Sequence, residues 1–383
     1  MPINIISNSS RFLSTSITSL LLVAGLAGCG GGGGSGGGTS ASLATSTFVD
    51  ATTPAVLQGP DHTSQTSSAQ TVNQDMVTSV TPPTYPLGSV QKGAWDVLMS
   101  ERQNCGFGLL QQDTRLDAAS SAHGYYLAQN SIDTKGFVGG HNENPADSYF
   151  TGTNGLERAV AKGVSRIGGM SIDEILDEQN VVRSQSREYF PTSEARGAES
   201  MRRLIGTVYH LSGAMYAGRV GGVGTAHMSG PFDIYTMEVY RFGALIADLA
   251  GSNKQRLGSG SVVTYPCASA RPNASFAPAT EGPNPFPEIT DQRVLVGTPI
   301  YFKADAGSVL AVSAARVTKV SDGTLQTLRQ LNNANDPAAK IGSNEVFLVP
   351  TSALVPASSY TVNAIGTIDG VAFTRVFTFT TAP

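Results

Sequence analysis

The chain has little of several things. Its 383 residues include three cysteines, one tryptophan and five histidines, and only 14% are charged. The low charge gives a net −4, with no basic stripe, so nucleic acid is excluded as an expected partner. No apolar run reaches the roughly 20 residues that a membrane-crossing helix needs. The longest candidate, Leu20-Leu21-Leu22-Val23-Ala24-Gly25-Leu26, is far too short. Arg11 is the only charged residue before Cys29.

A basic residue, a short apolar run and then small residues is the pattern of a cleaved export signal. Leu26-Ala27-Gly28-Cys29 resembles the bacterial lipobox, in which the Cys thiol takes a diacylglyceryl group and cleavage falls before it. The expectation is a leader over 1–28 and a lipid-bearing Cys29, with the membrane as a partner through that lipid. The protein is then exported and anchored, at the outer membrane or cell surface. Acyl chains in pairs or threes hold a protein stably, whereas one alone binds marginally. Export places Cys105 and Cys267 in an oxidising compartment, where two thiols pair; two buried free thiols are the alternative.

Composition divides the rest. Residues 29–86 are rich in Gly, Ser, Thr and Ala and read as a disordered tether holding His62. Gly33-Gly34-Ser35-Gly36-Gly37 fits the hydrolase G-x-S-x-G pattern in letters only, since no strand and helix flank it. Residues 87–268 mix helix and strand signals. Helical spacing predicts a helix over about Val90–Gln103 and a second from Asp113, with Leu116, Ala119, His123, Tyr126 and Leu127 on one stripe. Ser171, with Asp173 and Glu174 after it, reads as a helix cap, and another helix is expected over Ala198–Tyr209. Gly221–Ala226 and Phe232–Arg241 read as strands, with His227 at an exposed hairpin tip and Glu238 facing solvent. Arg158 beside Glu157 reads as a structural ion pair, and His123 as a packed core histidine. Residues 269–285, rich in Pro, Ala and Asn, read as a linker. Residues 286–383 hold short strand-like runs separated by turn signals, such as Val309–Ala314, Arg316–Val320, Tyr360–Ile365 and Phe373–Thr380, the mark of a β-sandwich. Its seven basic and seven acidic residues cancel. The fold class expected is α+β followed by an all-β sandwich.

A succession of short motifs carries a family resemblance. Ser100-Glu101-Arg102-Gln103-Asn104-Cys105, Leu116-Asp117-Ala118-Ala119, Ala122-His123-Gly124-Tyr125-Tyr126-Leu127 and Gly140-His141-Asn142-Glu143 open it. Phe150-Thr151-Gly152, Glu157-Arg158-Ala159, Asp173-Glu174-Ile175, Val208-Tyr209-His210 and Val220-Gly221-Gly222-Val223-Gly224 continue it. Residues 87–268 thus resemble the CAP superfamily, named for cysteine-rich secretory proteins, antigen 5 and pathogenesis-related proteins. The resemblance implies an α-β-α sandwich with a cleft. His141 matches its first histidine, Glu174 its first glutamate and His210 its second histidine. Its second glutamate has no match; Glu194 and Glu199 lie nearby without fitting. Leu354-Val355-Pro356-Ala357-Ser358-Ser359-Tyr360, Gly370 and Phe377-Thr378-Phe379-Thr380-Thr381 resemble bacterial Ig-like surface modules.

The resemblance implies a non-enzymatic protein that binds a small apolar ligand such as a lipid, an envelope component, or an envelope or host protein. It also allows a divalent metal such as zinc at His141, Glu174 and His210, where two imidazoles and a carboxylate leave one position for water. The alternatives are a metal-assisted hydrolase acting on peptide or cell-wall material, and a structural or adhesion module.

Overall fold

The computed structural model describes residues 23–27, 74–183, 192–251 and 253–383. Cys29, His62, Gly33–Gly37 and most of the expected leader and tether lie outside the described residues. No helix among the described residues is long and apolar enough to cross a membrane.

In chain order the first elements are β1 (Val23–Ala27), α1 (Val90–Asn104), β2 (Gln111–Gln112), α2 (Thr114–Thr134), α3 (Gly155–Ala161) and β3 (Ser171–Arg183). Next come α4 (Glu194–Leu204), α5 (Val208–Ala214), β4 (Val220–Phe232), β5 (Tyr235–Asp248) and β6 (Val262–Tyr265). Helix starts follow local chemistry. Ser89 caps α1 by accepting from Lys92 N, and Asp113 caps α2 by accepting from Arg115 N. Lys135 ends α2 in the left-handed region, at φ 52°.

The order β2-β4-β5-β3-β1-β8, with β8 being Glu281–Gly282, makes one six-stranded sheet. At its centre β5 pairs antiparallel with both β3 and β4 over 13 residues each. Alternate residues of β5 pack on opposite sides. Tyr240, Phe242, Ala244 and Ile246 join the core under α1, α4 and α5. Leu245 and Ala247 meet Leu116, Ala119 and Ala159 of α2 and α3, and Met237 and Val239 meet Ala128 of α2. Helices therefore cover both faces. The α1–α4 crossing is close because Gly93 and Gly197 lie in it: a Cβ on Gly93 would fall 2.0 Å from the Glu194 carbonyl oxygen, and one on Gly197 would fall 1.8 Å from that of Val90.

Several sequence expectations are corrected. Ser171–Arg183 is a strand, not a capped helix. The Ser and acidic first turn are a local signal, and pairing along the whole of β5 outweighs it. The helix expected over Ala198–Tyr209 is two, α4 and α5, parted at Ile205-Gly206-Thr207. The β4–β5 hairpin turns at Asp233-Ile234, so His227 sits within a strand. Residues 75–86 run along the folded body: Asp75 bridges Arg256, Val77 N donates to Gln255 Oε1, and the Tyr85 hydroxyl donates to Asp117 at 2.5 Å.

The remaining strands are β7 (Ser275–Phe276), β8, β9 (Val296–Gly297), β10 (Ile300–Ala304), β11 (Leu310–Lys319), β12 (Leu328–Asn332), β13 (Glu345–Pro350), β14 (Ser359–Ile368) and β15 (Val371–Thr380). Two antiparallel sheets, β12-β13-β10-β6 and β11-β14-β15, enclose a second core. Ile300, Phe302 and Leu348 from one meet Val317, Val362 and Phe379 from the other. β6 belongs to this sandwich although it precedes the expected linker. The linker stretch itself is packed, with Phe276 and Phe286 buried. The two runs expected at Val309–Ala314 and Arg316–Val320 form a single strand, β11, with a register shift between Val312 and Ala314.

Cys105, the C-cap of α1, is disulfide-bonded to Cys267, just beyond β6, across 162 positions of sequence. Closing so long a loop removes much freedom from the unfolded chain, about 5 kcal/mol in the entropic account and typically 2–5 kcal/mol in practice. Reduction in the folded protein is expected to lower stability by at least about 2 kcal/mol, read as an earlier urea midpoint. Identical midpoints with and without reductant would contradict this.

Candidate functional site

Glu174, in the first half of β3, is buried. Both its carboxylate oxygens accept from Arg158 Nη2 of α3, at 2.7 and 2.6 Å, and His141 Nδ1 lies 2.9 Å from Oε2. Arg158 is also fully buried, and its Nη1 donates to the carbonyls of His141 and Gly152 at 2.9 and 3.3 Å. One planar guanidinium thus holds both the strand carboxylate and the backbone of the loop that carries His141. The partner expected for Arg158, Glu157, instead accepts from Thr153 N.

Burial by itself would raise the Glu174 carboxyl, but the charges of Arg158, His123 and His141 outweigh it and hold the group well below the usual carboxylate range. Burial pushes the His141 imidazole down from its ordinary value; the Glu174 contact opposes this, and the charges of His210 and His123 add to the lowering. An ionised Glu174 and a neutral His141 assign the ring proton to Nδ1 as donor. The His141 side chain keeps 12% of its surface exposed, against 4% for Glu174.

His210 is placed differently. It is fully buried on α5, with Nδ1 2.8 Å from Thr207 Oγ1 and 3.3 Å from Glu281 Oε1. Glu281, from the stretch expected to be a linker, also accepts from Val208 N, Tyr209 N and His210 N at 3.0, 2.7 and 3.1 Å. His210 is near enough for its charge to act on His141 and on Asp173. Asp173 and Glu174 are neighbours on a strand and so point to opposite faces. Burial, with the Glu345 charge adding to it, raises the Asp173 carboxyl to about 7. His141 and Glu174 are therefore in direct contact, while His210 answers to Thr207 and Glu281.

This arrangement does not suit a zinc ion. Among the described residues no group of three or more His, Cys, Asp and Glu side chains is placed to hold a metal. The Glu174 oxygens already face a buried cation, Arg158.

A second buried pair stands behind the first. His123 Nδ1 is 2.9 Å from Glu143 Oε1, and its Nε2 is 2.9 Å from the Gly140 carbonyl oxygen. Glu143 also accepts from Thr151 N at 2.5 Å and from Gly152 N at 3.2 Å, closing the loop on itself. His123 is the core histidine its helical stripe predicts. Glu143, two residues after His141, is legible in sequence only as the end of the Gly140–Glu143 motif, and Glu281 carries no sequence signal. Glu238 corrects an expectation: it is buried, and His227 Nε2 lies 2.9 Å from its carboxylate, because the late turn of the hairpin brings His227 into β4, alongside β5.

Comparison with known proteins adds no family. Neither family models nor curated proteins yield a match to the chain.

Proposed function

We propose that this is an exported, lipid-anchored CAP-type protein that binds a small apolar ligand beside His141 without turning it over. The observation that carries the reading is the His141–Glu174–Arg158 unit. A neutral imidazole, oriented by a buried ion pair, sits at the margin between interior and solvent. Such a group offers a fixed polar contact to a ligand whose remainder is apolar, as binding sites commonly do. A sheet with an antiparallel β4-β5-β3 centre, covered by helices on both faces, supports the CAP reading, and a two-sheet C-terminal unit supports an Ig-like spacer or adhesion module. Acylation at Cys29 supplies the anchor, and the cleavage before it removes β1 (Val23–Ala27), which leaves β2-β4-β5-β3 as the sheet of the mature chain.

Two measurements test this. Radiolabelled palmitate is expected to label the protein at Cys29, and globomycin to cause the precursor to build up; absence of both removes the anchor. Purified protein is expected to bind tritiated palmitate saturably, with His141→Ala weakening binding at least about tenfold, equivalent to about 1.4 kcal/mol. Unchanged binding in His141→Ala, or no saturable binding at all, would contradict the site.

A further inference from the structure

We propose that the open edge of β15 is a self-association surface, to which a second copy of this chain adds its own β15 in antiparallel fashion. The inference is independent of the ligand site.

β15 pairs with β14 without a break, from Val371↔Ile368 to Thr380↔Ser359. No described strand pairs with its other side. The backbone donors and acceptors there form a ten-residue template for another strand. The other sheet edges of the sandwich are less inviting. β11 is interrupted by the shift at Val312/Ala314, carries Arg316 and Lys319, and has Thr318 bridged to Leu325. β6 and β12 span only four and five residues.

Side chains select the occupant. β15 contains no proline and a single charge, Arg375. Thr374, Val376 and Thr378 alternate with the inward Phe373, Phe377 and Phe379, and they are exposed and uncharged. A strand meeting its own copy therefore opposes no like charges on the outer face, and its β-branched residues pair favourably across strands. Arg375 shares the inner-face parity. Its Nε is buried without a hydrogen-bond partner, and burial lowers its pKa. A two-fold axis through Val376 sets each Arg375 opposite the second copy's Phe377, where the cation can lie over a ring. An axis through Arg375 would instead oppose two guanidinium groups. The favoured register gives a continuous six-stranded sheet with an isologous interface.

Sedimentation velocity on the mature chain with Cys29→Ser, which leaves no unpaired thiol, tests this over a roughly hundredfold concentration series. A monomer–dimer equilibrium is expected. The double variant Thr374→Lys, Val376→Lys should weaken it at least about tenfold. In a second arm, Val376→Cys is expected to form a disulfide-linked dimer on mild oxidation, faster than the exposed control Val355→Cys. A single monomeric species throughout, a dimer indifferent to the two lysines, or cross-linking no faster than the control overturns the proposal.

Discussion

Arg158→Ala is expected to cost about 3–5 kcal/mol of stability at neutral pH. The guanidinium is fully buried and makes four described hydrogen bonds, two to Glu174 and one each to the carbonyls of His141 and Gly152. Alanine leaves a buried carboxylate with His141 as its remaining described partner, and leaves the loop carbonyls without their donor. Lysine should recover only part of the loss, because a point ammonium cannot span the strand carboxylate and two loop carbonyls at once. The pH dependence has a definite sign. Glu174 has a folded pKa below its unfolded value. Its contribution is therefore fully present above the ordinary carboxylate pKa of about 4.3 and fades as pH falls below that toward the folded value. Urea unfolding of the wild type and Arg158→Ala at neutral and acid pH should show the difference between them narrowing in acid. A difference below about 1 kcal/mol at neutral pH, or one that widens in acid, would contradict the buried-pair account.

Glu281→Ala is expected to cost about 3 kcal/mol, a large effect for a position in a Pro- and Asn-rich stretch. α5 is only seven residues long, and Thr207 provides no side-chain cap to its backbone. Glu281 supplies the missing acceptor to three successive amides at the end where the helix dipole favours an anion. It also contacts the His210 ring. Glutamine keeps the shape and an acceptor oxygen, so Glu281→Gln should lose roughly half as much. Hydrogen exchange gives a local readout: the amides of Val208, Tyr209 and His210 should lose protection in Glu281→Ala well before those of β5. Unchanged protection at these three amides would show that the cap is not what holds α5.

Local signals were legible where a short stretch decides its own conformation. α1 and the Asp113 cap of α2 follow from side-chain spacing and capping chemistry, and the Cys105–Cys267 pairing follows from the export signal. The run of short β segments after residue 286 was equally plain. Where long-range pairing decides, local signals mislead. Ser171-Ile172-Asp173-Glu174 has the letters of a helix start, yet thirteen ladder pairs with β5 make it a strand. The β4–β5 hairpin turns at Asp233-Ile234, beyond the His227–Pro231 tip that its turn signal suggests, and Glu238 lies buried beside His227.

The site was legible in part. Resemblance pointed to His141 and Glu174, which touch, and to His210, whose own contacts with Thr207 and Glu281 no spacing rule could forecast. Arg158 was visible as an ion-pair residue, but its partner lay 16 positions away. Glu281 gave no signal, since a single acid among prolines looks like solvent-exposed linker until the fold brings it to a helix end.

The most direct test of the central claim is an NMR titration of the His141 ring, with and without palmitate. The account predicts a His141 pKa below the ordinary histidine value of about 6.5, a proton on Nδ1, and palmitate-dependent shifts at His141 but not at His227. A His141 that titrates at or above the ordinary value, or a ring indifferent to palmitate, would contradict it.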